Sequence, residues 1–189
     1  MIGNMALNKY KDDYETVVTT GEDGREHEEI VYRGDYYEIP LDEADLFRFK
    51  RNSLLLLAVI IVLHIAGGFL NNRGMYQMYV AIPYALAFFP LLYLTEGILR
   101  LPKEKRKYRR DEIGNSFERM KTSSWVFFVF LGIGVLGDIF FLLFIADGNR
   151  IDLDIFYLLI EVLVVAAVYA IIHSQRKINP TISETKEQL

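Results

Sequence analysis

The chain has 189 residues, of which 52% are apolar and 24% charged, and its formal net charge is −4. It contains no cysteine, which excludes disulfides, thiolate metal sites, thiol redox chemistry and S-palmitoylation. The mild acidity supplies no basic footprint for nucleic acid.

Residues 1–49 form a polar, acidic N-terminal element. No apolar h-region follows Met1, so no signal peptide is expected and the first apolar run serves as an internal insertion signal. YETVVTT leads into the turn GEDG, and EEIVYR leads through Gly34–Asp35 into YYEIP. Alternating β-branched and aromatic residues between turn signals predict a short three-strand meander. Asp42 has the chemistry of an N-cap for a helix that runs directly into the first apolar segment. Residues 1–47 hold 13 Asp and Glu against four Lys and Arg.

A four-helix transmembrane domain is expected over residues 50–177. A bilayer core about 30 Å thick needs about 20 apolar residues in a helix. Four segments qualify: 53–70, 75–99, 123–145 and 155–173. Each is apolar all round, which suits a membrane span and not a soluble amphipathic helix. The predicted class is an all-α integral membrane protein, a four-helix bundle of two antiparallel hairpins. Loop 100–122 is basic and tail 178–189 is polar, expected without fixed structure. Of the 21 Lys and Arg residues, all but Arg73 and Arg150 fall on one side of this topology. The positive-inside rule therefore places both termini and the basic loop in the cytoplasm. Tyr76, Tyr79 and Tyr157 are expected near the outer interface, and Trp125 and Tyr169 nearer the inner one.

The basic patch of that loop comprises Lys103, Lys105, Arg106, Lys107, Arg109 and Arg110. It lies on the same side as the acidic N-terminal element, which suggests that the two dock; the alternative is a solvated patch beside anionic lipid headgroups. Glu96 and Arg100, four residues apart near the end of the second span, make an interfacial ion pair.

Ionisable residues inside spans are rare and tend to be functional. His64, Asp138 and Glu161 form the candidate intramembrane polar site. At the helical rise, His64 lies about 16 Å, Asp138 about 22 Å and Glu161 about 20 Å from the inner face, so the three are expected in one layer. Gly67 and Gly68 flank His64, and Gly134 and Gly137 flank Asp138, as small residues do where membrane helices touch. Two roles fit: a hydrogen-bonded contact that fixes helix register, or a protonatable site for proton coupling or cation binding. Pro83 and Pro90, seven residues apart on one face of the second span, suit packing geometry more than gating.

The run Gly132-Ile-Gly134-Val-Leu-Gly137 matches a dinucleotide fingerprint, but that chemistry needs a strand before it and a helix N-terminus at the pyrophosphate. In mid-span it reads as a packing face. No histidine pair at matching depth calls for haem, no HExxH is present, and no serine sits near the polar layer, so no catalytic set, metal or cofactor is called for. The expected partners are the lipid bilayer and a cytoplasmic or membrane protein. Oligomeric state is left open, and compact loops suit a bacterial plasma membrane. The expected function is a non-enzymatic accessory or scaffold subunit. The alternative is a small proton-coupled or cation transporter built on His64, Asp138 and Glu161.

Overall fold

The structure is a computed structural model that describes residues 9–20, 26–104, 106–146, 151–176 and 178–184. Its frame is four helices long and apolar enough to cross a membrane: α1 (Glu43–Gly68), α2 (Met78–Leu99), α3 (Arg110–Phe144) and α4 (Ile151–Gln175). Asp42 caps α1, its side chain accepting from the Asp45 N–H at 2.7 Å. The 35 residues of α3 extend about 52 Å, well beyond a bilayer core, so its first turns stand clear of the apolar layer. That projecting part contains a wide π-type turn over Gly114–Glu118.

The outer faces of the helices are apolar as well as the inner ones. Leu136 is 68% exposed and Phe144 73%. A continuous belt of this kind is a surface for lipid, not water. Inside, Ile60, Leu94, Phe127, Val164 and Val168 pack as one core. The helices follow one another around the bundle as α1, α4, α3 and α2. Helices α2 and α3 pack most closely, then α3 with α4 and α1 with α4. Helices α1 and α2, though joined by a short turn, meet mainly through side chains, with the Tyr84 hydroxyl donating to the His64 carbonyl at 2.7 Å.

Helix α2 continues through Pro83 and Pro90, and both rings are buried. Pro83 has no N–H for the Tyr79 carbonyl four residues earlier. Gly137 of α3 packs onto that carbonyl, and a Cβ at 137 would lie 2.9 Å from it. Nearer the other end, a Cβ on Gly97 would lie 2.9 Å from the Met120 backbone nitrogen. The packing face read from the glycine run is only partly present. Gly137 packs, whereas a Cβ on Gly132 or Gly134 meets nothing within 4 Å. Three glycines spread over six residues rotate too far round a helix to share one face.

At the end of the bundle where α1 and α3 begin and α2 and α4 end, which we call the polar end, the strands do not form the expected meander. Strands β1 (Tyr14–Thr20) and β2 (Glu26–Tyr32) pair antiparallel as a two-stranded ribbon. Strand β3 (Tyr36–Glu38) leaves that ribbon. It lies between β4 (Tyr108–Arg109) from the basic loop and β5 (Thr181–Glu184) from the tail, in the order β4-β3-β5. The tail expected to lack structure therefore contributes a strand, because β3 offers it an unpaired edge and Thr181 and Ile182 suit one. The departure of β3 is set by Tyr32, whose hydroxyl donates to the Asp35 carbonyl at 2.7 Å and accepts from the Arg110 N–H at 3.0 Å. Its ring sits edge-on to Tyr14 and Tyr36, each 5.2 Å away.

Tyr32 thus anchors the N-terminal element to the start of α3, and it carries a pH signature. Burial, helped by the charges of Asp13 and Asp111 and opposed by the Arg110 N–H, pushes its hydroxyl from 10.0 up to about 12. Between those values the unfolded chain releases a proton that the folded chain keeps. The stability is complete below pH 10.0 and is lost as pH rises towards about 12. Thermal melts across this window should fall more steeply for the parent protein than for Tyr32→Phe; equal slopes would contradict the linkage.

Candidate functional site

On α4, Asp154, Tyr157 and Glu161 recur at the three- and four-residue spacing of one helix face, and all three are buried. The face turns inward in the half of the bundle next to the interhelical turns, the turn end. There it meets His64 of α1, Asp138 of α3 and Asn72 of the α1–α2 turn, each at most 1% exposed.

These groups form two tiers. In the tier nearer the centre, His64 Nδ1 and Glu161 Oε1 are 3.3 Å apart. The imidazole is caged by Tyr84, Phe88 and Phe127, with ring centroids at 4.4, 4.8 and 5.7 Å. Gly67 lets α4 approach here, since a Cβ on it would stand 3.3 Å from Glu161 Oε1.

Nearer the turns, Asp154 Oδ1 accepts from the backbone N–H of Arg73 at 2.7 Å and of Gly74 at 3.0 Å. Asp138 Oδ1 presses on the bare side of Gly74, where a Cβ would collide with it and would lie 3.4 Å from Asn72 Nδ2. Among the described residues, both oxygens of Asp138, Oδ2 of Asp154, both polar atoms of Asn72 and Nε2 of His64 are buried without a hydrogen-bond partner. The charges that act on Asp138 come from Asp154 and Glu161.

The structure brings His64 and Glu161 together and leaves Asp138 in the other tier. Helix α4 begins at Ile151, earlier than the apolar pattern suggested, so Glu161 lies about 15 Å inside it while Asp138 lies only about 9 Å from the end of α3. Asp154, Tyr157, Tyr84 and Asn72 belong to the cluster and were not legible as such. Asp154 reads as a turn charge, and Tyr157 reads as an interfacial ring but is buried. The Asp154–Tyr157–Glu161 stripe would have disclosed both with the correct helix start. Nothing in the sequence marks Asn72.

Outside this cluster, Glu96 Oε1 receives Arg100 at 2.7 Å, and its other oxygen pairs with Arg119. Lys50 reaches the carbonyls of Leu99 and Leu101 and covers the C-terminal end of α2, where helix carbonyls lack internal donors.

Of the basic patch, Lys103, Arg106, Lys107, Arg109 and Arg110 are exposed, and Lys105 lies outside the described residues. Several of them hold the polar end together. Arg106 grips Glu112 through two hydrogen bonds at 2.5 and 3.0 Å. Burial raises the Glu112 carboxyl, and the Arg106 and Arg109 contacts outweigh it and lower it below the ordinary value. The Arg109 guanidinium lies 5.5 Å from the centre of the Tyr32 ring, and Arg110 lies 3.9 Å from Asp13. The acidic element and the basic loop are therefore in contact, through a shared sheet and Tyr32 more than through ion pairs.

Four apolar helices with a lipid-facing belt define a multi-pass membrane protein. No protein-family model, curated protein or solved structure matches the chain.

Proposed function

We propose that this protein is a small proton-coupled membrane carrier in which Asp138 and the His64–Glu161 pair take up and release protons. The observation that supports this reading is the state of Asp138, fully buried, with neither oxygen partnered among the described residues. A hydrogen-bonded register contact would be satisfied internally, as His64 Nδ1 and Glu161 Oε1 are by each other. Asp138 is not, and its charged neighbours are two further carboxylates. An isolated ionised carboxylate at this depth costs several kcal/mol, so the cluster reaches a low-energy state only by taking positive charge from outside. Three carboxylates, Asp138, Asp154 and Glu161, and one imidazole, His64, are buried in this cluster. A group whose charge depends on an external supply is what proton coupling requires.

With the basic residues placed inside, the polar end is cytoplasmic and the cluster lies nearer the outer face. Protons then exchange past the α1–α2 turn. Proteoliposomes loaded with a pH-sensitive dye test this. The parent protein should pass protons under an imposed gradient, and Asp138→Asn should fall to the level of empty vesicles. Parent protein indistinguishable from empty vesicles in both directions and under an imposed potential would remove the reading.

A second reading, an accessory or scaffold subunit, is favoured by the β1–β2 ribbon. Val18 and Ile30 lie on one of its faces at 57% and 71% exposure, and a two-stranded ribbon gains stability from a partner. Under that reading Asp138→Asn leaves partner binding intact.

A further inference from the structure

We infer that the seam between α2 and α3 at the polar end binds one anionic glycerophospholipid, with phosphatidylglycerol as the occupant. An acyl chain lies in an apolar groove, the phosphate on Arg100 and Arg119, and the hydroxyl-bearing headgroup in a polar pocket.

The groove has a volume of about 340 Å³ and an almost wholly apolar lining. Leu86, Pro90 and Tyr93 of α2 and Thr122, Val126 and Phe130 of α3 line it. Leu86, Tyr93 and Val126 are exposed, so it opens onto the lipid-facing belt. From Thr122 to Phe130 it runs about 12 Å along α3, close to the roughly 15 Å of hydrocarbon in one leaflet. In a bilayer, an acyl chain fills an apolar groove of that length.

A chain alone would be ordinary boundary lipid. The charge at the polar end of the groove makes this a site. Arg119 stands between groove and pocket. Its guanidinium lies 5.9 Å from the centre of the Tyr93 ring, which lines the groove, and donates at 3.1 Å to Asn115 Oδ1, which lines the pocket. Arg119 and Arg100 share one carboxylate, Glu96. Two guanidinium groups against one carboxylate leave a single positive charge, which one phosphodiester neutralises. Arginine's planar fork suits phosphate oxygens, and basic groups between helices near the cytoplasmic surface hold anionic headgroups.

The pocket beyond has a volume of about 270 Å³ and carries Arg100 and Arg106 against Asp111 and Glu112. It is neutral in sum, and its acids are engaged. Arg106 grips Glu112, and Asp111 lies beside Tyr14 and Arg109. Asp111 Oδ1, which lacks a partner, is fully buried and out of a headgroup's reach. An ammonium group would therefore stand beside Arg100 and Arg106 without a carboxylate of its own. Hydroxyls can exchange hydrogen bonds with the Asn115 amide and the guanidinium groups. The wide turn over Gly114–Glu118 brings Asn115 to the pocket wall, and turns of this kind are frequent at functional sites.

The test uses the full chain, purified in detergent and stripped of lipid, with thermal unfolding followed by light scattering. Phosphatidylglycerol, phosphatidylcholine, phosphatidylethanolamine and phosphatidylserine of one chain composition are titrated separately as mixed micelles. Phosphatidylglycerol should raise the Tm saturably by several degrees more than the other three. Arg100→Gln, which leaves Glu96 paired with Arg119, and Val126→Trp, which fills the groove, should each abolish that excess. Both side chains are exposed, so both variants should fold; if one does not, the other decides. Another of the lipids matching phosphatidylglycerol overturns the site, and so does an excess that either folded variant retains in full. The seam lies in the other half of the bundle from the His64–Glu161 pair, so proton flux in vesicles is read independently and its absence removes only the carrier.

Discussion

Asp138→Asn should give a protein that is more stable than the parent and inactive in proton flux. The exchange keeps the shape of the side chain and removes its capacity for charge. Asp138 makes no hydrogen bond among the described residues, so no partner is orphaned by the change. The parent carries the cost of a buried polar group without a match, about 1–3 kcal/mol, and more in any state where it is ionised. The amide also brings a donor within reach of the acceptors of Asp154 and Asn72. A stabilisation of about 1–2 kcal/mol is expected, read as a higher Tm in detergent solution. Stability exchanged against activity in this way is the mark of a site kept strained for use. Glu161→Gln is the contrasting variant. Its carboxylate faces His64 at 3.3 Å, so the change weakens an existing contact and should lower stability. A lower Tm for Asp138→Asn would mean that Asp138 holds the bundle together, and the functional reading would lose its support.

The second large effect is expected at Gly97. A Cβ there would stand 2.9 Å from the backbone nitrogen of Met120 and 3.1 Å from its Cα. Backbone cannot swing aside as a flexible side chain can, so Gly97→Val must push α2 and α3 apart along their closest contact. Overpacking of this kind costs about 1–3 kcal/mol, occasionally more, and the upper end is expected here. Gly132→Val and Gly134→Val provide the control within the same bundle, since nothing lies within 4 Å of a Cβ at either position. Valine at those two sites should leave unfolding in detergent within about 0.5 kcal/mol of the parent. If all three variants behave alike, the α2–α3 contact is not where the structure puts it.

These two predictions differ in how they could have been reached. The glycines of α3 look alike in sequence, all in one apolar run. Only the relative rotation and approach of α2 and α3 separates Gly137, which closes on the carbonyl left free by Pro83, from Gly132 and Gly134, which do not pack. Gly97 carries no motif at all. Asp138 was singled out by its chemistry, because a carboxylate in an apolar run is conspicuous wherever it faces. Its isolation from Glu161 and its nearness to Asn72 could not be read, because both follow from where α4 starts and how the α1–α2 turn folds under Asp154.

The same division runs through the whole molecule. Composition by itself determined that there are four spans and where their apolar parts lie, because a bilayer demands about 20 apolar residues per span and the helix is the local structure that satisfies their backbone. It also determined which ionisable groups lie among apolar residues, and the Asp42 cap, which depends on contacts three residues away. Tertiary structure alone decided the pairing of β3 with β4 and β5, since any short β-prone segment offers the same edge and only the meeting of three chain regions selects the partner. It likewise decided the order α1, α4, α3, α2 around the bundle and the two tiers of polar groups. Those depend on contacts between residues far apart in the chain, such as His64 with Glu161 and Gly74 with Asp154, and no local pattern carries that information.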